Sequence, residues 1–144
     1  ATAGIEVQDV DLQERSITIR PNSIRTLKTK GSQRTLPLSQ SALEVLQEHR
    51  RGKGDTQPIF EDYARPRGRD AASAMLMKRL RRSITDKKLT MHSLRHRMKD
   101  KLRNTGCPEA ISLAILGHST NTVAANYGSG YALGVMREHL ERVW

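Results

Sequence analysis

The feature that most constrains the fold is a change of hydrophobic period at Ser39. Before it, short segments alternate apolar and polar residues, as in 16–20, where Ile17 and Ile19 face one way. After it, apolar residues return every three or four positions. A period of two is typical of half-buried strands, and a period of 3.6 is typical of amphipathic helices. The chain is therefore predicted to form a small sheet first and a group of helices after it.

Three strands are expected in the first third of the chain, at 16–20, 25–30 and 34–38. The Lys-Gly-Ser-Gln segment at 30–33 is predicted to be the turn between the second and third strands, because Gly31 can take a positive φ. The result is a small antiparallel sheet with Lys28, Lys30 and Arg34 near one hairpin tip.

Capping residues, glycines and prolines divide the remainder into helices. Ser39 is predicted to cap a helix that runs to about Arg51, and a long Gly- and Pro-rich loop follows at 52–68. Further helices are expected at 70–85, between Thr90 and Gly106, between Pro108 and Gly117, near 121–127 and near 133–143. The chain is thus predicted to be mainly α with a small antiparallel β-sheet, an α+β domain over residues 1–144.

Two of these helices have an apolar side that is expected to be buried. In the helix at 70–85 that side holds Ala72, Met75, Leu76 and Leu80. The opposite face carries Lys78, Arg79, Arg81 and Arg82, and it either contacts a phosphate backbone or is simply solvated. In the next helix Leu94, Met98 and Leu102 recur every four residues, which predicts a buried stripe.

The charge balance indicates a polyanionic partner. The chain has 25 Lys and Arg against 15 Asp and Glu, a net charge of +10, and nucleic acid is the commonest partner of such a surface. The single Cys107 excludes an internal disulfide and a Cys-rich zinc site. No apolar run approaches the ~20 residues that span a bilayer, so no membrane partner is expected.

Three segments hold side chains that could act on a phosphate. In the segment at 92–96, His92 and Arg95 lie within ~60° of each other around a helix and can meet one ligand, while Leu94 is expected to point into the core. Arginine matches phosphate oxygens two at a time. His118 follows the helix end that Gly117 marks.

Tyr127 lies nine residues after His118. A tyrosine nucleophile needs its proton removed and its target phosphate neutralised, because its reference pKa is ~10. Lys30 could donate a proton to a leaving oxygen. Each residue also has an ordinary interpretation, namely a solvated lysine or arginine, a capping histidine or a rim tyrosine.

In order and spacing, these residues resemble the tyrosine recombinase family, which includes phage integrases. The resemblance rests on Lys30-Gly31 with 34–38, on 92–96, on Leu-Gly-His-Ser at 116–119 and on Tyr127, and it extends over nearly the whole chain. Residues 4–12 resemble the family segment that leads into the sheet. The resemblance implies a site-specific recombinase that breaks and rejoins double-stranded DNA through a 3′-phosphotyrosine, without a cofactor or metal.

The resemblance also implies roles for five residues. Tyr127 would attack the scissile phosphate, Arg95 would bind its non-bridging oxygens, and His118 would add a hydrogen bond. His92 would assist proton transfer, and Lys30 would protonate the leaving 5′-oxygen. The residues expected to contact DNA are Lys28, Arg34, Lys78, Arg79 and Arg82. Related enzymes work as tetramers on paired sites. The resemblance also implies a cytoplasmic protein that acts on the nucleoid and is encoded by a bacterium or by a phage.

One departure from the family pattern concerns its first active-site arginine. That arginine belongs to an Arg-x-x-Glu motif, and extrapolated spacing places the Glu at about Ala1 and the Arg before the chain begins. By the same resemblance, we expect that the family's N-terminal DNA-clamping domain is not part of this chain. We therefore expect a truncated catalytic domain that cleaves poorly or not at all alone.

Several alternatives remain open. His92 and His96 have the spacing of a zinc-binding helix, although Ser93 stands where a His-Glu-x-x-His motif has its glutamate. The chain could instead be a non-catalytic DNA-binding module of this fold or a type IB topoisomerase. Tyr131 is the alternative nucleophile to Tyr127. The final helix could dock on its own chain or on a neighbour.

Overall fold

The computed structural model describes residues 4–27, 32–118 and 130–144. In these ranges the strands are β1 (Val10–Asp11), β2 (Ser16–Ile19) and β3 (Arg34–Pro37). The helices are α1 (Gln40–His49), α2 (Gly68–Leu80), α3 (Met91–Asn104), α4 (Glu109–Leu116) and α5 (Leu133–Glu141). Short 3-10 turns lie at Val7–Asp9 and Glu61–Tyr63. The prediction of a mainly helical chain with a small antiparallel sheet is confirmed.

The sheet has the order β1-β2-β3, and both pairings are antiparallel. Ile17 lies opposite Leu36, and the hydroxyls of Thr18 and Thr35 are 3.0 Å apart on the other face. This register agrees with the alternation of apolar and polar residues in the sequence, because successive side chains of a strand point to opposite faces.

The strand predicted at 25–30 is wrong for residues 25–27, which form no ladder. β3 pairs directly with β2 instead. The side-chain oxygen of Asn22 accepts the backbone N–H groups of Ile24 and Arg25 at 3.1 and 2.8 Å, so these donors are satisfied locally. Residues 28–31, with Lys28, Lys30 and Gly31 of the predicted turn, lie outside the described residues.

A first hydrophobic core lies between the sheet and α1. The Ser39 hydroxyl accepts the Ala42 N–H at 3.3 Å and begins α1 where the sequence predicted it. Leu43 and Leu46 of α1 are buried in this core. The buried members of this core are Ile5, Val7, Val10, Leu38, Leu43, Leu46 and Ile59.

A buried ionic network joins the start of the chain to the segment after β2. The Asp9 carboxylate is fully buried, 2.6 Å from Arg20 Nε and 3.4 Å from Arg25 Nη2. Arg20 also reaches Glu6 at 2.9 Å, and Arg25 Nε–H donates to the Arg20 carbonyl at 2.8 Å. Buried charges need such partners, so the network fixes the path of the chain between β2 and the hairpin.

A second core joins α3, α4 and α5. Its buried members are Leu102, Cys107, Ile111, Ile115, Met136, Leu140 and Val143, and Leu36 of β3 packs against them. The final helix therefore docks on its own chain in this structure. Within the described ranges, no helix is long and apolar enough to cross a bilayer.

The apolar faces of α2 and α3 differ from the sequence prediction. Met75 and Leu76 are exposed, and Leu94 is 50% exposed rather than in the core. In α2 the buried residue is Gly68 at its start, and the helix contacts both the Glu61–Tyr63 turn and α3.

α2 ends at Leu80, earlier than predicted. The next residue, Arg81, turns its guanidinium to the backbone. It donates to the carbonyls of Asp86 (2.6 Å), Lys87 (3.2 Å) and Leu89 (2.7 Å). Arg81 thus holds the loop before α3 and does not belong to an open basic face.

Candidate phosphate-binding site

Arg95 and His118 come together although they are 23 residues apart in the sequence. Arg95 Nε–H donates to His118 Nε2 at 3.2 Å, and Arg95 Nη2 donates to the Leu116 carbonyl. A guanidinium and an imidazole side by side can bind one tetrahedral anion, since both present N–H groups to it.

Two helix ends place this pair. Thr90 begins α3 with a capping box: its hydroxyl accepts the His92 N–H at 3.2 Å, and the Ser93 hydroxyl accepts the Thr90 N–H at 3.0 Å. Arg95 follows in the next turn. Gly117 ends α4 in the left-handed region with φ 64°, and the His118 N–H returns to the Leu113 carbonyl at 2.9 Å. These local signals are visible in the sequence.

The contact with Arg95 defines the protonation of His118. Accepting this hydrogen bond through Nε2 requires a neutral imidazole with its proton on Nδ1. Burial lowers the pKa of His118, and the positive charges of Arg95, Lys99, Arg34 and His92 lower it further. The free site thus holds a neutral histidine at neutral pH.

Arg34, expected from the sequence to contact DNA, is partly buried beside this pair. Its Nε–H donates to the Ile115 carbonyl at 3.3 Å, and Nη1 donates to the Ser32 carbonyl at 2.9 Å. Burial and the nearby charge of Arg95 lower the pKa of Arg34. Its Nε and Nη1 donors are therefore already bound to backbone carbonyls.

Arg95 and Arg34 line a cleft of about 710 Å³ with a strongly basic wall. The arginines that line it are Arg25, Arg34, Arg65, Arg67, Arg69 and Arg95, and one carboxylate, Asp70, stands among them. A cleft lined by one sign of charge concentrates counter-ions, so this one suits a polyanion.

Arg65, Arg67 and Arg69 are cleft residues that the sequence prediction does not include. The signal that could identify them is the Arg-Pro-Arg-Gly-Arg segment at 65–69, most of which lies in the predicted loop. A Cβ at position 68 would lie 1.9 Å from the Tyr63 carbonyl oxygen. The glycine therefore allows α2 to begin against the Glu61–Tyr63 turn.

Of the other predicted residues, those that the structure describes do not line the cleft. His92 is exposed, and its ring packs edge-on against His96 with centroids 4.9 Å apart. Lys78, Arg79 and Arg82 are exposed on or just after α2. Lys28, Lys30 and Tyr127 lie outside the described residues, as does the helix predicted near 121–127. Among the residues that are described, no group of three His, Cys, Asp or Glu is placed so that it could hold a metal ion.

The lowered pKa of His118 predicts a proton-linked anion affinity. An anion favours the imidazolium, so binding raises this pKa and takes up a proton. Sulfate, which does not titrate near neutrality, is expected to bind more tightly as pH falls from about 7 to about 5. His118→Gln should flatten this dependence in isothermal titration, while His96→Gln should preserve it. Equal pH dependence in wild type and His118→Gln would contradict this assignment.

Comparisons with known proteins agree with this architecture. The model of the Phage integrase family matches residues 2–131. Tyrosine recombinase XerD of Corynebacterium glutamicum is 25% identical over 142 residues, covering 94% of this chain and 45% of that protein. The Tn1549 transposon integrase, solved in complex with a circular intermediate DNA, superposes with a TM-score of 0.54 at 23% identity. That match covers 99% of this chain and 53% of the integrase.

The chain thus spans about half the length of the relatives it matches. The structural likeness supports the fold, and the family model covers most of the chain. By its sequence over residues 2–131, this protein belongs to the phage integrase family.

Proposed function

We propose that this chain is the catalytic region of a site-specific recombinase that breaks and rejoins double-stranded DNA. The observation that carries the proposal is the Arg95–His118 pair at the edge of an arginine-lined cleft. The relatives support it, since one is a tyrosine recombinase and the other is an integrase solved in complex with DNA.

In the proposed reaction Tyr127 is the nucleophile. Its phenolic oxygen forms a bond to the scissile phosphorus, the bond from phosphorus to the 5′-oxygen breaks, and a 3′-phosphotyrosine results. His92 assists removal of the phenolic proton, and Lys30 gives a proton to the departing 5′-oxygen. Rejoining reverses these steps. The phosphotyrosine conserves the phosphodiester bond energy, so no nucleotide cofactor or metal is required.

Arg95 and His118 act on the charge of the phosphate. The guanidinium stays charged at every working pH, and its planar donors match the non-bridging oxygens as charge builds up on them. His118 supplies an N–H to the same group, from Nδ1 when neutral or from either nitrogen when protonated. Holding both groups in advance reduces the reorganisation that the transition state requires.

The proposed DNA-binding surface is the cleft together with Lys28 and the exposed basic residues on and just after α2. It includes Lys78, Arg79 and Arg82 from the sequence prediction, with Lys28 of the hairpin, and adds Arg65, Arg67 and Arg69. Arg67 and Arg69 are 90% and 82% exposed in their side chains, so they can reach a phosphate backbone without first being freed from the core.

The setting of this activity follows from the same proposal. The full-length protein would assemble as a tetramer on paired DNA sites and work in the cytoplasm of a bacterium, on the nucleoid, whether encoded by the bacterium or by a phage.

Covalent trapping tests this proposal. Nicked duplexes drawn from a random-sequence pool are incubated with this chain and with a longer protein that contains it, then resolved under denaturing conditions. In the longer protein, covalent adducts are expected with the wild-type sequence and with Tyr131→Phe but not with Tyr127→Phe, which should still bind DNA. The shorter chain is expected to form few adducts or none. Tyr127→Phe removes the proposed attacking oxygen, so the loss should be complete.

Other outcomes would select the alternatives. Binding without any adduct in either protein indicates a non-catalytic DNA-binding module. Relaxation of supercoiled plasmid without site preference indicates a topoisomerase of type IB. Loss of adducts in Tyr131→Phe alone would move the nucleophile to Tyr131.

A further inference from the structure

Arg34 connects two parts of the chain that the proposed chemistry uses. It is the first residue of β3, where the hairpin enters the sheet. Its Nη1 holds the Ser32 carbonyl on the hairpin side at 2.9 Å, and its Nε holds the Ile115 carbonyl at the end of α4 at 3.3 Å. One planar guanidinium thus joins the residues just before β3 to a carbonyl 81 residues beyond Arg34 in the sequence.

Gly117 leaves the space that this guanidinium occupies. A Cβ at position 117 would lie 2.3 Å from Arg34 Nη1 and 2.4 Å from Cζ. The φ of 64° at Gly117 already favours glycine, and the close approach of Arg34 is a second, independent reason for it. The contact therefore requires both the glycine at position 117 and the guanidinium of Arg34.

The turn that Arg34 holds is the turn that Arg95 uses. Arg34 fixes the Ile115 carbonyl, and Arg95 binds the Leu116 carbonyl and the His118 ring. The guanidinium groups of Arg34 and Arg95 repel each other, and the charge of Arg95 contributes to the lowered pKa of Arg34. Such an arrangement persists because each cation is bound to backbone carbonyls.

We propose that Arg34 is a positioning residue, which locks the 115–118 turn against β3 so that Arg95 and His118 meet one phosphate. This inference rests on the proposed function and deepens it. It assigns Arg34 an internal role in place of the DNA contact that the sequence suggested. It also connects β3, the strand that follows Lys30 in the sequence, to the phosphate-binding pair.

Lys99→Gln is the matched control for Arg34→Gln. Arg95, Lys99, Arg34 and His92 are the charged groups that act on His118, so Lys99→Gln and Arg34→Gln each remove one positive charge. Only Arg34→Gln also removes the contact with the turn. Arg34→Lys restores the charge, but an ammonium cannot span two carbonyls as a planar fork does.

Three readouts separate positioning from charge. Sulfate affinity, followed by the His118 ring signals in NMR, is expected to fall about tenfold in Arg34→Gln and in Arg34→Lys, a typical coupling between contacting residues. It should fall less than about threefold in Lys99→Gln. The hydrogen-bonded Arg95 Nε–H signal should be lost in both Arg34 variants and kept in Lys99→Gln. In a His118→Ala background, Arg34→Gln should have little further effect.

DNA binding separates positioning from direct phosphate contact. If Arg34 neutralised a DNA phosphate, Arg34→Gln would reduce the slope of log K against log salt by about 0.9. The positioning role predicts an unchanged slope. A reduced slope, full recovery by Arg34→Lys, or equal losses in Lys99→Gln would each overturn the proposal.

Failure of the two proposals can be told apart. If sulfate leaves the His118 and Arg95 signals of the wild type unmoved, the phosphate site itself is contradicted. The Arg95 Nε–H signal still reports whether Arg34 holds the turn, because it requires no anion. Thermal unfolding of each variant verifies that the compared proteins are folded.

Discussion

Arg95→Lys is expected to slow covalent DNA cleavage by about 100- to 1,000-fold, the range for loss of a donor that stabilises transition-state charge. Lysine keeps the positive charge but offers a single ammonium, so it cannot bind two phosphate oxygens while also facing His118 Nε2. The effect should fall on the rate of cleavage more than on DNA affinity, because one phosphate contact contributes little to total binding.

Arg97→Lys is the matched control for this change. Arg97 lies on the same helix and is exposed, so its replacement should alter the rate less than about threefold. The comparison is made by measuring the single-turnover cleavage rate of each variant on the nicked duplexes that trap the covalent adduct. Cleavage by Arg95→Lys at the rate of Arg97→Lys would remove Arg95 from the catalytic machinery.

Leu102→Ala is expected to lower the free energy of unfolding by about 2–5 kcal/mol, because truncating a buried leucine loses transfer energy and leaves a cavity. Leu102 is 0% exposed at the centre of the second core, where α3, α4 and α5 meet. The same truncation at Leu94, which is 50% exposed, should cost less than about 1 kcal/mol.

Urea unfolding of the two variants provides the comparison, since both remove the same atoms from the same helix. Equal losses would show that Leu94 is buried in solution. That result would reinstate the apolar stripe predicted from sequence and contradict the packing described for α3.

The geometry of α3 explains why the sequence prediction failed at Leu94. Residues four apart advance ~40° around a helix, so Leu94 and Leu102 are separated by ~80° although both fit one pattern. Periodicity identifies an apolar side but not which part of it meets a neighbour. Here the second core meets Leu102, partly covers Met98 and leaves Leu94 half exposed.

Features determined by local chemistry were predictable. Ser39 and Thr90 cap their helices, and Gly117 ends α4 with a positive φ, as the residue types indicate. The failed strand at 25–27 was decided by the side chain of Asn22, which a propensity argument does not weigh.

The site was predictable in part for the same reason. The sequence named Arg95 and His118, and the fold brings them within hydrogen-bond distance. It did not show that Arg34 turns inward onto Gly117, because that contact depends on how β3 and α4 meet in three dimensions. The roles of Tyr127 and Lys30 stay predictions.

The most direct test of the phosphate site is a crystal structure of this protein with orthovanadate, which mimics a phosphoryl group during transfer. The account predicts one vanadate bound between Arg95 and His118, with Arg34 still on the Ile115 carbonyl and His92 close enough to share the anion. A vanadate bound elsewhere, with Arg95, His118 and His92 directed to separate surfaces, would contradict the recombinase mechanism and leave the basic cleft as a DNA-binding surface alone.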